Sequence, residues 1–356
     1  MKNLKYSVVP LVMLLLNLVA FESKSAVIWS VENRFPLFRN AAEFNMTAAA
    51  LGNRTENNYK ESQLRKYDLS MNFPESENTA WMPNSEQYDR DQLLKTDHKT
   101  IFRLTQSDLH GDCTWILNNK ENKTINCANP AEFIISQNLP FSIAVKHNGI
   151  IIEKLDEGVG ITRKIIIGIG DSFSSGEGNP DHPTVLNDLK SHNDAWFLDS
   201  PTEVIVKSAR WWDQRCHRSL YSWQSIYALK QAISDPHRVV VFASFSCSGA
   251  EIYDGFLRAQ HSPPGDFNAE HSHLKYSQQE ALSILLCPEG KTGKKVEQGH
   301  SVVQGPANND FFGEYSISTC SSPIKADEIL FSLGGNDVGF SSVVKWSILG
   351  RTVRFD

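Results

Sequence analysis

The chain lacks a marked charge excess, a metal-binding cysteine motif and a phosphate-cradling glycine loop. Its 356 residues carry 35 Lys and Arg against 41 Asp and Glu, a formal charge of −6. So mild an imbalance points to neither nucleic acid nor anionic lipid as a partner. None of the six cysteines stands in a C-x-x-C pair, which argues against a zinc site or a redox couple, and no metal-ligand constellation is visible. Gly176-x-Gly178 is too short and wrongly placed for a nucleotide fingerprint, so no cofactor is implied. No internal repeat is present. Long apolar runs are also missing, with one exception at residues 8–21, which is shorter than the roughly 20 residues of a membrane span. That run follows Lys2 and Lys5 and precedes Ser23, Ser25 and Ala26. Such an order is that of a secretory signal peptide, with an uncleaved anchor as the alternative. Residues 1–25 are expected to be removed on export, leaving a secreted or periplasmic chain with no stable membrane insertion.

What remains is ordinary globular material, 40% hydrophobic and 21% charged, long enough for two domains or one large one. The cysteines fall in sequence order as Cys113 and Cys127, Cys216 and Cys247, Cys287 and Cys320. Six cysteines allow fifteen pairings. In an oxidising compartment their even number favours disulfides, and successive pairing, which closes three local loops, is the preferred arrangement. Asn45, Asn53 and Asn122 open Asn-x-Thr sequons, meaningful only in a host that glycosylates.

Residues 26–160 read as an N-terminal polar, β-rich domain. Residues 52–98 are crowded with Asn, Glu, Ser, Asp and Lys and read as surface loop or loosely ordered connection. Short strands are expected at 101–104, 114–117, 133–135, 141–145 and 150–152, with turns at Asn118-Asn119 and Asn148-Gly149. A small sandwich-like unit follows from that pattern, with nothing catalytic in it.

From residue 161 to 356 strands and helices alternate, which implies a mostly parallel sheet with helices on its faces. Strands are expected at 165–169, 239–245 and 328–333, with a short extra one at 204–206. A helix is expected over 219–234 with Ser219 as its cap. Another opens at the capping box Ser277-Gln278-Gln279-Glu280 and runs through Leu286. Residues 287–323 read as a long loop tied by Cys287 and Cys320.

Each of the three main strands runs into a loop of small and polar residues. The first ends at Gly170-Asp171-Ser172, the second at Ser246-Cys247-Ser248-Gly249-Ala250, the third at Gly334-Gly335-Asn336-Asp337. Parallel strands present their carboxyl ends on one edge, so the three loops should meet there. A serine hydroxyl, a glycine N–H and an asparagine carboxamide are then the parts of a nucleophile and an oxyanion hole. Taken singly, each block is also what a turn or a helix cap would use.

Together the blocks resemble the first three sequence blocks of the SGNH, or GDSL-type, hydrolases. The wider wording, Gly170 to Gly178 with Cys216-His217-Arg218-Ser219 and Cys247-Ser248-Gly249-Ala250, resembles their secreted, disulfide-bonded bacterial branch. The resemblance spans residues 161–345. It implies a flavodoxin-like three-layer α/β/α fold, with Ser172 as nucleophile and Ser172, Gly249 and Asn336 as oxyanion donors. It also implies that Asp171 braces the nucleophile loop, and that Cys216 pairs with Cys247. The family's fourth block, Asp-x-x-His, is not found. No histidine follows His300, and the sequence ends at Asp356. The expectation is an incomplete SGNH domain whose general base lies outside the chain, with His217 structural or substrate-lining and His261, His271, His273 and His300 solvated. Trp211-Trp212 packs the core or lines a pocket.

The function expected is hydrolysis of carboxylic esters, lipid or acylated glycan, through an acyl-serine intermediate. The rival is a non-catalytic surface- or glycan-binding protein on a degenerate hydrolase scaffold. Oligomeric state is not legible.

Overall fold

The computed structural model describes residues 27–52, 76–106, 109–187, 191–192, 204–261, 263, 273–287, 294–301, 311–318, 320 and 322–339. The expected leader at 1–25, the sequon at Asn53 and His271 lie outside the described residues. The chain is mixed α/β, richer in strand than in helix.

Strand β1 (Val27–Val31) is followed by helix α1 (Ala41–Gly52), a hairpin of β2 (Trp81–Met82) and β3 (Gln87–Tyr88), and one helical turn, α2 (Arg90–Leu93). Six strands come next: β4 (Asp97–Leu104), β5 (Asp112–Leu117), β6 (Lys120–Asn126), β7 (Ala131–Ser136), β8 (Phe141–His147) and β9 (Ile150–Val159). They form two antiparallel sheets, ordered β1-β4-β7 and β6-β5-β8-β9. Side chains alternate between faces along each strand, which delivers Trp29, Phe102, Trp115, Phe133, Phe141 and Val145 to one buried cluster. Both turn signals hold: Asn118, Asn119, Asn148 and Gly149 all take positive φ, as tight hairpins require. Strand β6 has no counterpart in the sequence reading. It is polar because it forms the edge of its sheet, where charge discourages further pairing.

The second unit begins at β10 (Thr162–Gly170) and α3 (Ser172–Ser175). A small sheet of β11 (Thr184–Leu186), β12 (Ser191–His192) and β13 (Ile205–Lys207) follows. After α4 (Trp223–Ser234) and β14 (Arg238–Ser244) come α5 (Gln278–Leu286), the hairpin β15 (Lys294–Ser301) with β16 (Phe311–Ser318), and β17 (Glu328–Ser332). Strands β14, β10 and β17 pair in parallel, with β10 in the centre. Its run Ile165 to Ile169 is buried, as a central strand covered on both faces must be.

Three expectations need correction. Helix α4 is capped by Ser222, whose hydroxyl accepts from Ser225 N at 3.1 Å. Ser219 is diverted to Asp181, 3.1 Å away, and the chain turns once more before the helix starts. The segment 287–323 contains the β15–β16 hairpin, whose mixed Lys, Glu, Gly and Ser composition hides any alternation. The described part of 52–98 is no surface loop. Trp81, Tyr88 and Leu93 share one core with Phe35, Leu37, Phe38, Phe44 and the β10 and β14 side chains. The outer edge of β14 is closed by this segment: Val240 N donates to Arg34 O, and the Tyr88 hydroxyl donates to Ser244 O at 2.8 Å while accepting from Ser244 N at 2.9 Å. So the residues between β1 and β4 of the sandwich-like unit pack into the core of the parallel-sheet unit.

All three cysteine pairs form in sequence order: Cys113–Cys127, Cys216–Cys247 and Cys287–Cys320. They fit an oxidising compartment. Among the described residues, no helix is long and apolar enough to cross a membrane.

At the end of β10 the backbone of β17 approaches Gly170 so closely that an added methyl would collide with the Ser332 carbonyl and the Ser174 side chain. A backbone carbonyl cannot swing aside as a side chain can. Gly170→Ala is therefore expected to lose about 3 kcal/mol or more, the upper part of the range for overpacking. Chemical denaturation would show it, and an unchanged midpoint would refute the close approach.

Candidate functional site: three strand tips on one sheet edge

The register brings the carboxyl ends of the three strands level. Gly168 lies opposite both Ser244 and Leu330, and Gly170 opposite Ser332. Beyond the last ladder pairs the tips stay bonded: Phe245 N donates to Gly168 O at 2.8 Å, Cys247 N to Gly170 O at 3.0 Å, and Asp171 N to Ser332 O at 3.1 Å.

Two buried glutamines hold what the ladder leaves over. The Gln278 carboxamide accepts from Gly170 N at 3.0 Å and donates to Gly170 O at 2.8 Å. The Gln224 amide donates to Ile169 O at 3.1 Å and Leu330 O at 3.0 Å, and its oxygen accepts from the Ser246 hydroxyl at 2.9 Å. Buried peptide groups left unpaired would each cost about 1–3 kcal/mol, so these side chains allow the strands to end inside the protein. Neither glutamine was singled out from sequence. The one available signal was Gln at an inward position of a helix, which periodicity arguments pass over.

At the first tip Asp171 caps the short α3, accepting from Phe173 N at 3.1 Å. Burial raises its pKa above the ordinary carboxylate value, opposed by N–H donors that include Phe173 and Gly335. Ser172 follows, half-buried. Among the described residues no side chain is hydrogen-bonded to its hydroxyl.

The second tip turns at Gly249, with φ +81, a backbone state that favours glycine. Ser248, the residue before it, is anchored through both its peptide groups, by Gln260 Nε2 to Ser248 O at 2.7 Å and by Ser248 N to Cys216 O at 3.2 Å. The third tip docks on the second. Asn336 Nδ2 donates to Ala250 O at 2.9 Å, and the Asp337 carboxylate accepts from Ile252 N at 3.1 Å. The Asn336 amide uses one N–H in this way and keeps a second as a donor. Ser172, Gly249 and Asn336 therefore lie on three loops joined by direct bonds.

Behind them is a group that sequence reasoning missed. Glu177 accepts from His217 Nδ1 at 2.8 Å, and Ser248 Oγ also bonds its carboxylate. Burial pushes the Glu177 pKa up. The His217 and Ser248 bonds outweigh it and hold the pKa below the ordinary value. His217 is buried, with φ +49, and its ring stacks on Trp211 at 3.8 Å and 5°. Both Trp211 and Trp212 are core residues. The Cys216–Cys247 disulfide ties the second tip to the segment that carries His217, and Glu177, on the loop that follows the first tip, bonds both His217 and Ser248.

His261 is not simply solvated. Its Nδ1 lies 2.7 Å from Asp254 Oδ1 and its Nε2 lies 3.0 Å from Arg258 Nη2, which makes Nε2 the acceptor and Nδ1 the donor. Of its neighbours, His273 is exposed. Cys113, Cys127 and His147 come within 4.8 Å of one another, but the two sulfurs are joined to each other.

No family model matches the chain, and no curated protein or solved structure matches it.

Glu177→Gln keeps the size of the side chain and removes the charge that receives both donors. Its cost should be about 1–3 kcal/mol at neutral pH. Because the folded pKa of Glu177 is depressed, the stability it contributes is present above its unfolded value, near 4.5. That contribution is lost as pH falls through the folded value. The gap in unfolding free energy between wild type and Glu177→Gln should be constant above about pH 5 and close at lower pH. A gap independent of pH down to 2 would show that the carboxylate is not held this way.

Proposed function

We propose that the chain is an exported serine hydrolase of the SGNH type that cleaves carboxylic esters through an acyl-serine intermediate. The observation that carries the reading is the docking of Asn336 on the Gly249–Ala250 turn, beside the Ser172 loop, at the carboxyl edge of a parallel sheet. Ser172 Oγ would attack the ester carbonyl as its proton passes to a base outside the described residues. Collapse of the tetrahedral intermediate breaks the carbonyl–alkoxy bond, the leaving alcohol takes up that proton, and water then cleaves the acyl-serine to the free acid. The oxyanion would be received by the N–H groups of Ser172 and Gly249 and by the second N–H of Asn336, neutral donors fixed before the charge develops. Asp171 would hold the nucleophile loop through the Phe173 and Gly335 N–H groups rather than relay a proton. The flavodoxin-like three-layer fold is part of the same proposal.

One observation favours a second reading. Among the described residues no imidazole bonds the Ser172 hydroxyl, and a serine without a base is a poor nucleophile. On that reading the fold is a binding scaffold, with the sandwich-like unit engaging glycan or a cell surface.

A fluorophosphonate probe separates them. The hydrolase reading expects covalent modification of the full chain at Ser172, located by mass spectrometry and abolished in Ser172→Ala. Asn336→Ala should slow modification by about 10²–10³, the usual effect of removing one oxyanion donor. No modification of Ser172 under conditions that label a serine esterase leaves the binding scaffold as the answer.

A further inference from the structure

Each of the three tips carries one large apolar side chain in solvent. Phe173 is 73% exposed, Ile252 47% and Val338 79%. Single exposed apolar residues are normal on any surface. Here three occur one per tip, next to the residues just described. Phe173 adjoins Ser172, and its N–H is bonded to Asp171, which also receives Gly335 N–H. Ile252 N–H is bonded to Asp337, and Val338 is the residue after Asp337. The three exposed side chains therefore lie on the same bonded loops as Ser172.

Charge in the same loops has one sign. Residues 171–178, 246–252 and 333–339 contain Asp171, Glu177, Glu251 and Asp337 but no Lys, Arg or His. Glu177 is turned to His217, and Asp171 and Asp337 to backbone N–H groups. No cation in these loops is available to receive an anionic substrate, and the carboxylates repel one.

We propose that the Ser172 site selects uncharged esters with an extended apolar acyl chain, disfavouring acetyl esters of glycans and anionic esters. The proposal deepens the hydrolase reading and rests on Ser172 being the reacting group. A two-carbon acyl group is too short to cover Phe173, Ile252 and Val338, so it leaves them in water. An eight-carbon chain leaving the Ser172 carbonyl position can lie across them, and apolar area removed from water is the driving force. The rim and the oxyanion donors share the same three loops, so substrate length and carbonyl placement are read together.

Binding to the full-length Ser172→Ala protein tests this without turnover. Calorimetric titration with monoacetylglycerol and with monooctanoylglycerol, kept below its micellar concentration, should show at least about tenfold tighter binding of the longer ester. Phe173→Ser and Val338→Ser should each remove about three- to tenfold of that advantage, as expected for one partly covered side chain. Both positions are solvent-exposed, so thermal midpoints should hold. The monoester of octanol with succinic acid, which is anionic, should bind more weakly than monooctanoylglycerol, with the difference shrinking in high salt. Equal affinity for the two glycerol esters, or a chain-length advantage intact in the protein that combines Phe173→Ser with Val338→Ser, overturns the proposal. So does a rim variant whose only effect is on sedimentation, which would make the rim a contact between copies of the chain. Failure of the hydrolase reading is seen separately: length-dependent binding without fluorophosphonate labelling leaves an apolar-ester binding site, and labelling without length dependence leaves an unselective esterase.

Discussion

The central strand has to end inside the protein, and everything at the candidate site depends on how that ending is satisfied. At Gly170 both peptide polar groups are taken by the single carboxamide of Gln278, a side chain delivered from a helix far along the sequence. On the other face Gln224 joins the carbonyls of Ile169 and Leu330. A carboxamide suits this position because it donates and accepts from one rigid plane and adds no charge to a buried edge. A buried carboxylate could only accept, and an apolar residue would leave the ends of three strands unpaired. With the strand ends fixed, the loops that follow start from defined points, and residues two or three positions later can be placed with little freedom.

That dependence explains which parts were readable in the chain. Ile165 to Ile169 announces a strand buried on both faces, and the abrupt change to Gly170-Asp171-Ser172 announces its end. The alternating apolar residues at 113–117 and 141–145 likewise mark strands of a half-buried sheet. Periodicity sees such features because each lies within one element. It cannot see that Trp81 and Tyr88 belong to the core beneath β14, since their partners are more than a hundred residues away. The polar surroundings of that hairpin made it look like loop. Nor can it see β15 and β16, whose stabilisation is backbone pairing with no apolar alternation to signal it.

The site was legible to the same degree. Ser172, Gly249 and Asn336 stood out because three such loops follow three strands of one parallel pattern, although each alone is what a turn would use. The structure adds why they are held together. The Glu177, His217 and Ser248 cluster and the two glutamines are polar residues in places where composition alone reads as surface. Their meaning comes from burial, and burial is a property of the fold. His217 is the clearest example. In the sequence it is one basic residue beside a cysteine, but in the structure it is stacked on Trp211 and bonded to a carboxylate that also holds Ser248.

The three tips are not tied equally, and this bears on which part of the site can move. Between the first and second there are a half-buried carboxylate, Glu177, that receives Ser248 Oγ, and the Cys247 to Gly170 backbone bond. The Cys216–Cys247 disulfide fixes the second tip to the segment whose His217 also bonds Glu177. A covalent link and bonds to a half-buried charge open rarely. The third tip is held by Asn336 on Ala250, which is part-buried, by Asp337 on Ile252, which is exposed, and by Gly335 on the buried Asp171. Bonds in contact with water exchange at little net cost. The carboxamide donor and the Val338 side chain therefore belong to the part of the site most easily displaced, while the hydroxyl and the glycine turn belong to the rigid part. A ligand that covers Phe173, Ile252 and Val338 together would exclude water from those same bonds and strengthen them, so occupancy of the apolar rim and positioning of the Asn336 amide are coupled through one set of contacts.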